Sequence, residues 1–116
     1  MRSFTYAWDG IVTLLQTQPN ARVHALLGIA AAGLALAFGL SALECAILAV
    51  TMGLVLVAEA VNTAIEAAVD LASPGIHPTA RLSKDVAAGA VLLSAVTAVV
   101  VGLLLFGPRI AAMIVR

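Results

Sequence analysis

The 116-residue chain is 63% hydrophobic and only 10% charged, against roughly 45–50% and about 25% in soluble domains, which leaves too little polar surface to cover a water-soluble globule. Six basic and six acidic residues cancel, so no basic patch is available for a nucleic-acid backbone. Cys45 is the single cysteine, which excludes an internal disulfide and leaves too few sulfur ligands for a zinc or iron–sulfur centre.

Near the amino terminus, Phe4, Trp8, Ile11, Val12, Leu14 and Leu15 alternate with Thr5, Asp9, Thr13, Gln16 and Gln18 at near-helical spacing. The pattern predicts an amphipathic helix over 3–20 lying on a membrane surface. A signal peptide needs a continuous apolar core, which Asp9 and Gln16 interrupt. Residues 25–43 then carry no formal charge, and a helix of that length covers about 28 Å, close to the ~30 Å hydrocarbon core of a bilayer.

Glu44 marks a turn into a second membrane helix over 44–70, with Glu59, Glu66 and Asp70 in its latter half. Ser73-Pro74-Gly75 and His77-Pro78 break the pattern and predict a loop over 71–82. A third membrane helix is expected over 83–106, with Ser83 as its N-cap, inside the charge-free run from Val86 to Pro108. The expectation is one all-α membrane domain over 1–116, with a surface helix and three transmembrane helices. Arg2, Arg22, Arg81 and Lys84 fall on one side and Arg109 and Arg116 on the other, so the positive-inside rule puts the amino terminus and the 71–82 loop in the cytoplasm. Small residues four apart, such as Gly28 with Ala32 and Ala31 with Ala35, suit close helix packing, although simple alanine richness gives the same pattern.

Ionisable side chains inside a membrane helix are costly, so their presence points to function. Glu59, Asn62, Glu66 and Asp70 stand at i, i+3, i+7 and i+11, within about 80° of one another around a helix. Carboxylates with an amide oxygen are hard ligands suited to Mg²⁺, and a lysine beside them, here Lys84 with Asp85, suits nucleotide phosphates. Phosphoryl transfer at the membrane surface is the resulting expectation, set against acids that merely solubilise a helix end. There is no G-x-x-x-x-G-K-[ST], no G-x-G-x-x-G and no kinase catalytic loop. The stripe also suits a proton or cation path in a small channel or transporter subunit. Such a path needs polar groups through the full bilayer depth, and Cys45 to Ala58 offers only Thr51. A non-catalytic assembly subunit would not require this face of acids together with Lys84 and Asp85.

The segment Glu59-Ala-Val-Asn-Thr-Ala-Ile-Glu-Ala-Ala-Val-Asp70, followed by Ser73-Pro74, His77-Pro78 and Lys84-Asp85-Val-Ala-Ala-Gly-Ala-Val-Leu92, resembles the signature of the small bacterial membrane lipid kinases, the prokaryotic diacylglycerol kinase and undecaprenol kinase family. Tyr6-Ala-Trp8-Asp-Gly10 and Asn20-Ala-Arg22-Val-His24 are similar to its amino-terminal segments. The resemblance implies a homotrimer in the bacterial plasma membrane, with active sites between subunits and transfer of the γ-phosphate of MgATP to a membrane lipid hydroxyl. It implies Glu59 as the base and Glu66 as the holder of Mg²⁺, with Asn62 and Asp70 in support. Tyr6, His77, Lys84 and Asp85 would lie at the nucleotide and Trp8 near the lipid acceptor.

A tryptophan on an amphipathic helix is equally an interfacial anchor, and His24 and His77 acquire no role from the residues alone. The family pattern generally has an acidic metal ligand where this chain has Gln18. A neutral amide oxygen can bind Mg²⁺ but adds no charge, and Pro19 beside it suggests a different local backbone. The Ser73-Pro74 and His77-Pro78 loop looks more like the undecaprenol kinase branch.

Overall fold

The computed structural model describes residues 2–115; Arg116, counted above in the charge balance, lies outside them. Four helices follow in chain order: α1 (Arg2–Thr17), α2 (Pro19–Phe38), α3 (Ala42–Ala72) and α4 (Pro78–Ile114). Helix α1 stops before the expected residue 20 because a residue preceding proline avoids the helical region. Gln18 is accordingly extended, with φ −113° and ψ 104°, and Pro19 opens α2, where its missing N–H costs nothing. Arg22, one turn into α2, donates from Nη1 to the carbonyls of Leu15 and Gln16 at 3.2 and 2.9 Å. These are end carbonyls of α1 that have no partner within the helix.

The uncharged run over 25–43 contains a turn. Gly39 adopts φ 65° and ψ 45°, the left-handed region that a residue without Cβ enters freely. Its N–H bonds to the Leu36 carbonyl and the Leu40 N–H to that of Ala35, the paired bonds of a Schellman cap. Helix α3 then starts on a reciprocal cap in which the Glu44 N–H donates to Ser41 Oγ at 3.2 Å and the Ser41 N–H to Glu44 Oε1 at 3.1 Å. Charge counting does not register such a turn, which is why α2 and α3 begin and end elsewhere than the charges suggest.

The second connection is also shorter than its prolines suggest, being confined to 73–77. His77, not Ser83, caps α4: its Nδ1 accepts the Thr79 N–H at 3.1 Å, while Ser83 lies inside the helix and donates to the Thr79 carbonyl. Nor does α4 end at Gly107-Pro108; it continues to Ile114. Proline is tolerated in long membrane helices where neighbouring groups satisfy the disturbed backbone. The missing Pro108 N–H frees the Leu104 carbonyl four residues back, while Arg109 Nη1 donates to the neighbouring Leu105 carbonyl at 2.8 Å.

Arg109 also ties α4 to α3. Its Nη1 and Nη2 reach the two oxygens of Glu44 at 2.9 and 3.0 Å, a two-point arrangement stronger than an ordinary ion pair. We expect Arg109→Leu to lower the thermal transition in detergent by several degrees. Glu44→Gln should lower it less, because an amide still serves the reciprocal cap. An Arg109→Leu transition that coincides with the wild type would show that the pair adds no stability.

At this end the three long helices converge. Ala35, Leu48, Leu105 and Phe106 form the buried cluster, with Phe38 stacked obliquely on Phe106 at 6.2 Å. Helix α3 is central, packing mainly on α4 and less on α2, while α1 touches α2 and α3. The molecule is only 21 Å across its thinnest dimension. Leu36, Val50, Val57, Leu92 and Leu103 are therefore exposed on its outer faces. All three long helices are long and apolar enough to cross a membrane, and lipid or further apolar helices can cover such faces at no hydrophobic cost.

Candidate active site

The buried side chains of α3 are Leu48, Thr51, Val55 and Glu59, spaced three, four and four residues apart. The same spacing continues through Asn62, Glu66 and Asp70, so the acidic stripe is the extension of the helix's inward face. Burial relaxes along it. Glu59 is 3% exposed, Asn62 and Glu66 are half-buried, and Asp70 is exposed.

Glu59 sits where α2 meets α3. Its Oε1 is buried without a hydrogen-bond partner among the described residues, and His24 Nε2 on α2 lies 3.5 Å from it. His24, though not Glu59, lines one end of an apolar groove of about 600 Å³ between α2 and α3, whose wall also includes Gly28, Ala32, Leu36, Leu48 and Met52. A group delivered along the groove reaches His24, whose Nε2 is 3.5 Å from the Glu59 carboxylate.

One turn further, Asn62 Nδ2 donates to Glu66 Oε1 at 3.4 Å, and Asn62 Oδ1 is buried without a partner. An orphaned amide oxygen beside a carboxylate is a set of hard oxygen donors. That set fits Mg²⁺, which is held by one or two carboxylates together with substrate phosphates and water rather than by a full protein cage. Among the described residues no three His, Cys, Asp or Glu side chains converge on one point.

At the exposed end of the stripe, Asp70 forms an ion pair with Lys84 from α4. Asp70, His77, Arg81 and Lys84, together with the 73–77 connection, line an open pocket of about 350 Å³. Helix α3 and the first turns of α4 therefore bring Asp70, His77 and Lys84 together. Asp85 lies outside the lining and pairs with Arg81 at 3.6 Å, both side chains exposed. Tyr6 and Trp8 are 68% and 66% exposed on α1. Gln18 is half-buried at the α1–α2 junction, with no capping bond from its side chain.

Sequence reasoning passed over two features. His24 lies on a different helix from the acids, and spacing within one helix carries no information about its neighbour. The Ser41-x-x-Glu44 cap was a readable signal, but nothing in the sequence pairs Glu44 with Arg109, 65 positions away.

Three apolar helices with a graded acidic face on the central one define an all-helical membrane protein with a polar site at one end. Residues 5–106 match the family described as prokaryotic diacylglycerol kinase, and the chain belongs to that family of lipid kinases. It is 43% identical over 114 residues to a diacylglycerol kinase of Synechocystis, an alignment covering 97% of this chain and 65% of that protein. It is 38% identical over 109 residues to an undecaprenol kinase of Bacillus subtilis, covering 94% of this chain and 89% of that protein. The chain thus spans slightly under two thirds of the cyanobacterial relative's length and most of the Bacillus one's.

Proposed function

We propose that the chain is an ATP-dependent kinase that transfers the γ-phosphate of MgATP to the hydroxyl of a membrane lipid, undecaprenol or diacylglycerol. The observation that carries this is the position of Glu59, a buried carboxylate with an unused oxygen, 3.5 Å from the His24 that lines the apolar groove and at the head of the polar face of α3. Depth supports the same division of labour. Counted from the Glu44–Arg109 pair along α3, Glu59 lies about 22 Å away, Glu66 about 33 Å and Asp70 about 39 Å. Against a hydrocarbon core of ~30 Å, Glu59 falls inside it and the other two beyond it. A lipid hydroxyl reaches the first level and a nucleotide the second.

In this reading Glu59 takes the hydroxyl proton as the oxygen attacks the γ-phosphorus. Glu66, supported by Asn62, holds Mg²⁺, which when bound offsets charge on the phosphates. Asp70, His77 and Lys84 surround the nucleotide, with Tyr6 and Asp85 completing its site, and Trp8 lies at the lipid acceptor on an amphipathic surface helix. The chain acts as a homotrimer in the bacterial plasma membrane, with its amino terminus and active face cytoplasmic. The exposed apolar faces of α3 and α4 suit contact with further copies. A conducting path fits less well, because below Glu59 the inward face continues as Val55, Thr51 and Leu48.

The direct test offers labelled ATP with undecaprenol or diacylglycerol in detergent micelles. Phosphorylation of one is expected, and none from either overturns the proposal. Gln18 gives a finer test. Gln18→Glu should lower the Mg²⁺ concentration for half-maximal rate by roughly 2–5-fold, the scale of a solvent-accessible charge contact, and Gln18→Ala should raise it. Superimposed titrations would remove Gln18 from the metal's surroundings.

A further inference from the structure

We propose that His24 is the positioning residue for Glu59, an inference that rests on the kinase reading above. Glu59 has a side chain 4% exposed, and His24 Nε2, 3.5 Å from its Oε1, is the ion-pairing group within reach. A carboxylate buried this deeply requires a donor, and among the described residues Oε1 has no other. The distance is long for a hydrogen bond, as catalytic contacts commonly are before substrate tightens them.

The fold brings the imidazole there. Ala21, wholly buried, and Gly28 flank His24 at three and four residues on the same face of α2. A Cβ added at Gly28 would come within 3.3 Å of the Met52 sulfur, so that turn of α2 packs tightly on the Met52 side chain of α3. His24 is also the one side chain with a hydrogen-bonding ring among those lining the groove, so a hydroxyl carried along the groove reaches the imidazole that stands 3.5 Å from Glu59 Oε1.

The carboxylate torsion of a glutamate is broad and weakly held by its own rotamer preferences. An Nε2–H donated to Oε1 fixes it and leaves Oε2 free for the acceptor. In the reaction the proton of the lipid hydroxyl passes to Oε2, the oxygen forms its bond to the γ-phosphorus, and the bond from that phosphorus to the β–γ bridging oxygen breaks to release ADP. His24 keeps its own proton throughout and orients the base without touching phosphorus.

The test compares wild type, His24→Leu, His24→Gln, Glu59→Gln and the His24→Leu/Glu59→Gln pair in mixed micelles. His24→Leu should lower kcat by up to about 10²-fold, the scale of a misaligned reacting group, with KM for ATP unchanged. His24→Gln, whose amide nitrogen replaces the ring Nε2–H, should recover most of that loss. Adding His24→Leu to Glu59→Gln should cause no further loss, because His24 acts only through the base. A purely structural histidine predicts similar loss in both single variants and independent losses in the pair, and either result overturns the inference. If His24→Leu fails to assemble by size exclusion, His24→Gln decides, and a large fall in its kcat overturns the proposal. A wild type inactive on every lipid alcohol overturns the kinase reading and this role with it, whereas an active wild type matched by His24→Leu overturns the role of His24 alone.

Discussion

Glu59→Gln is expected to reduce lipid phosphorylation by about 10²- to 10⁴-fold, the usual contribution of a positioned general base, while ATP affinity stays nearly unchanged. The side chains are almost the same size, so packing against α2 is preserved and only the proton-accepting oxygen is lost. The nucleotide should not sense the change, because Glu66 lies two turns away, about 10 Å along the helix axis. Binding of a fluorescent ATP analogue, measured beside turnover in the same micelles, separates the two effects. Should affinity fall in step with rate, Glu59 belongs to the nucleotide site and another group takes the hydroxyl proton. Assembly should also be unaffected, since a neutral amide is easier to bury than a carboxylate.

The sequence exposes the acids of α3 because a membrane penalises charge. In a soluble helix the spacing of Glu59, Glu66 and Asp70 would be unremarkable, whereas in an apolar chain each acid must face protein or water. The number and apolar character of the long helices are legible for the same reason. Backbone features that alter no charge are less so. The Gly39 turn and the start of α4 at Pro78 depend on hydrogen bonds local to each site, α4 passes through Pro108, and proline alone does not reveal whether a helix stops or merely bends.

Contacts between helices are the least legible. The His24–Glu59 approach and the Glu44–Arg109 pair join positions far apart in the chain. Each depends on how close two helices lie, which is set by residues such as Gly28 that carry no chemistry of their own. The Asp70–Lys84 pair lies between these cases, because the short 73–77 connection places the end of α3 beside the start of α4.

Glu66→Ala is expected to lower turnover by at least about 10²-fold, since even indirect supports of a metal ligand are worth 10–100-fold in metal affinity or activity. In contrast to Glu59→Gln, the loss should appear in nucleotide binding, and raising Mg²⁺ should restore little of it because the ligand itself is gone. Glu66 is half-buried and, among the described residues, its side chain's hydrogen bond comes from Asn62 on the same helix, so its removal breaks no hydrogen bond between helices. Folding and assembly should therefore survive, and the thermal transition in detergent should hold or rise as the desolvation cost of the acid is removed. Size exclusion and a melting curve beside the ATP titration make the distinction. If Glu66→Ala disassembles, or keeps turnover within a few-fold of wild type while binding MgATP normally, then Glu66 is a structural or solubilising acid and the metal must be held elsewhere on this face.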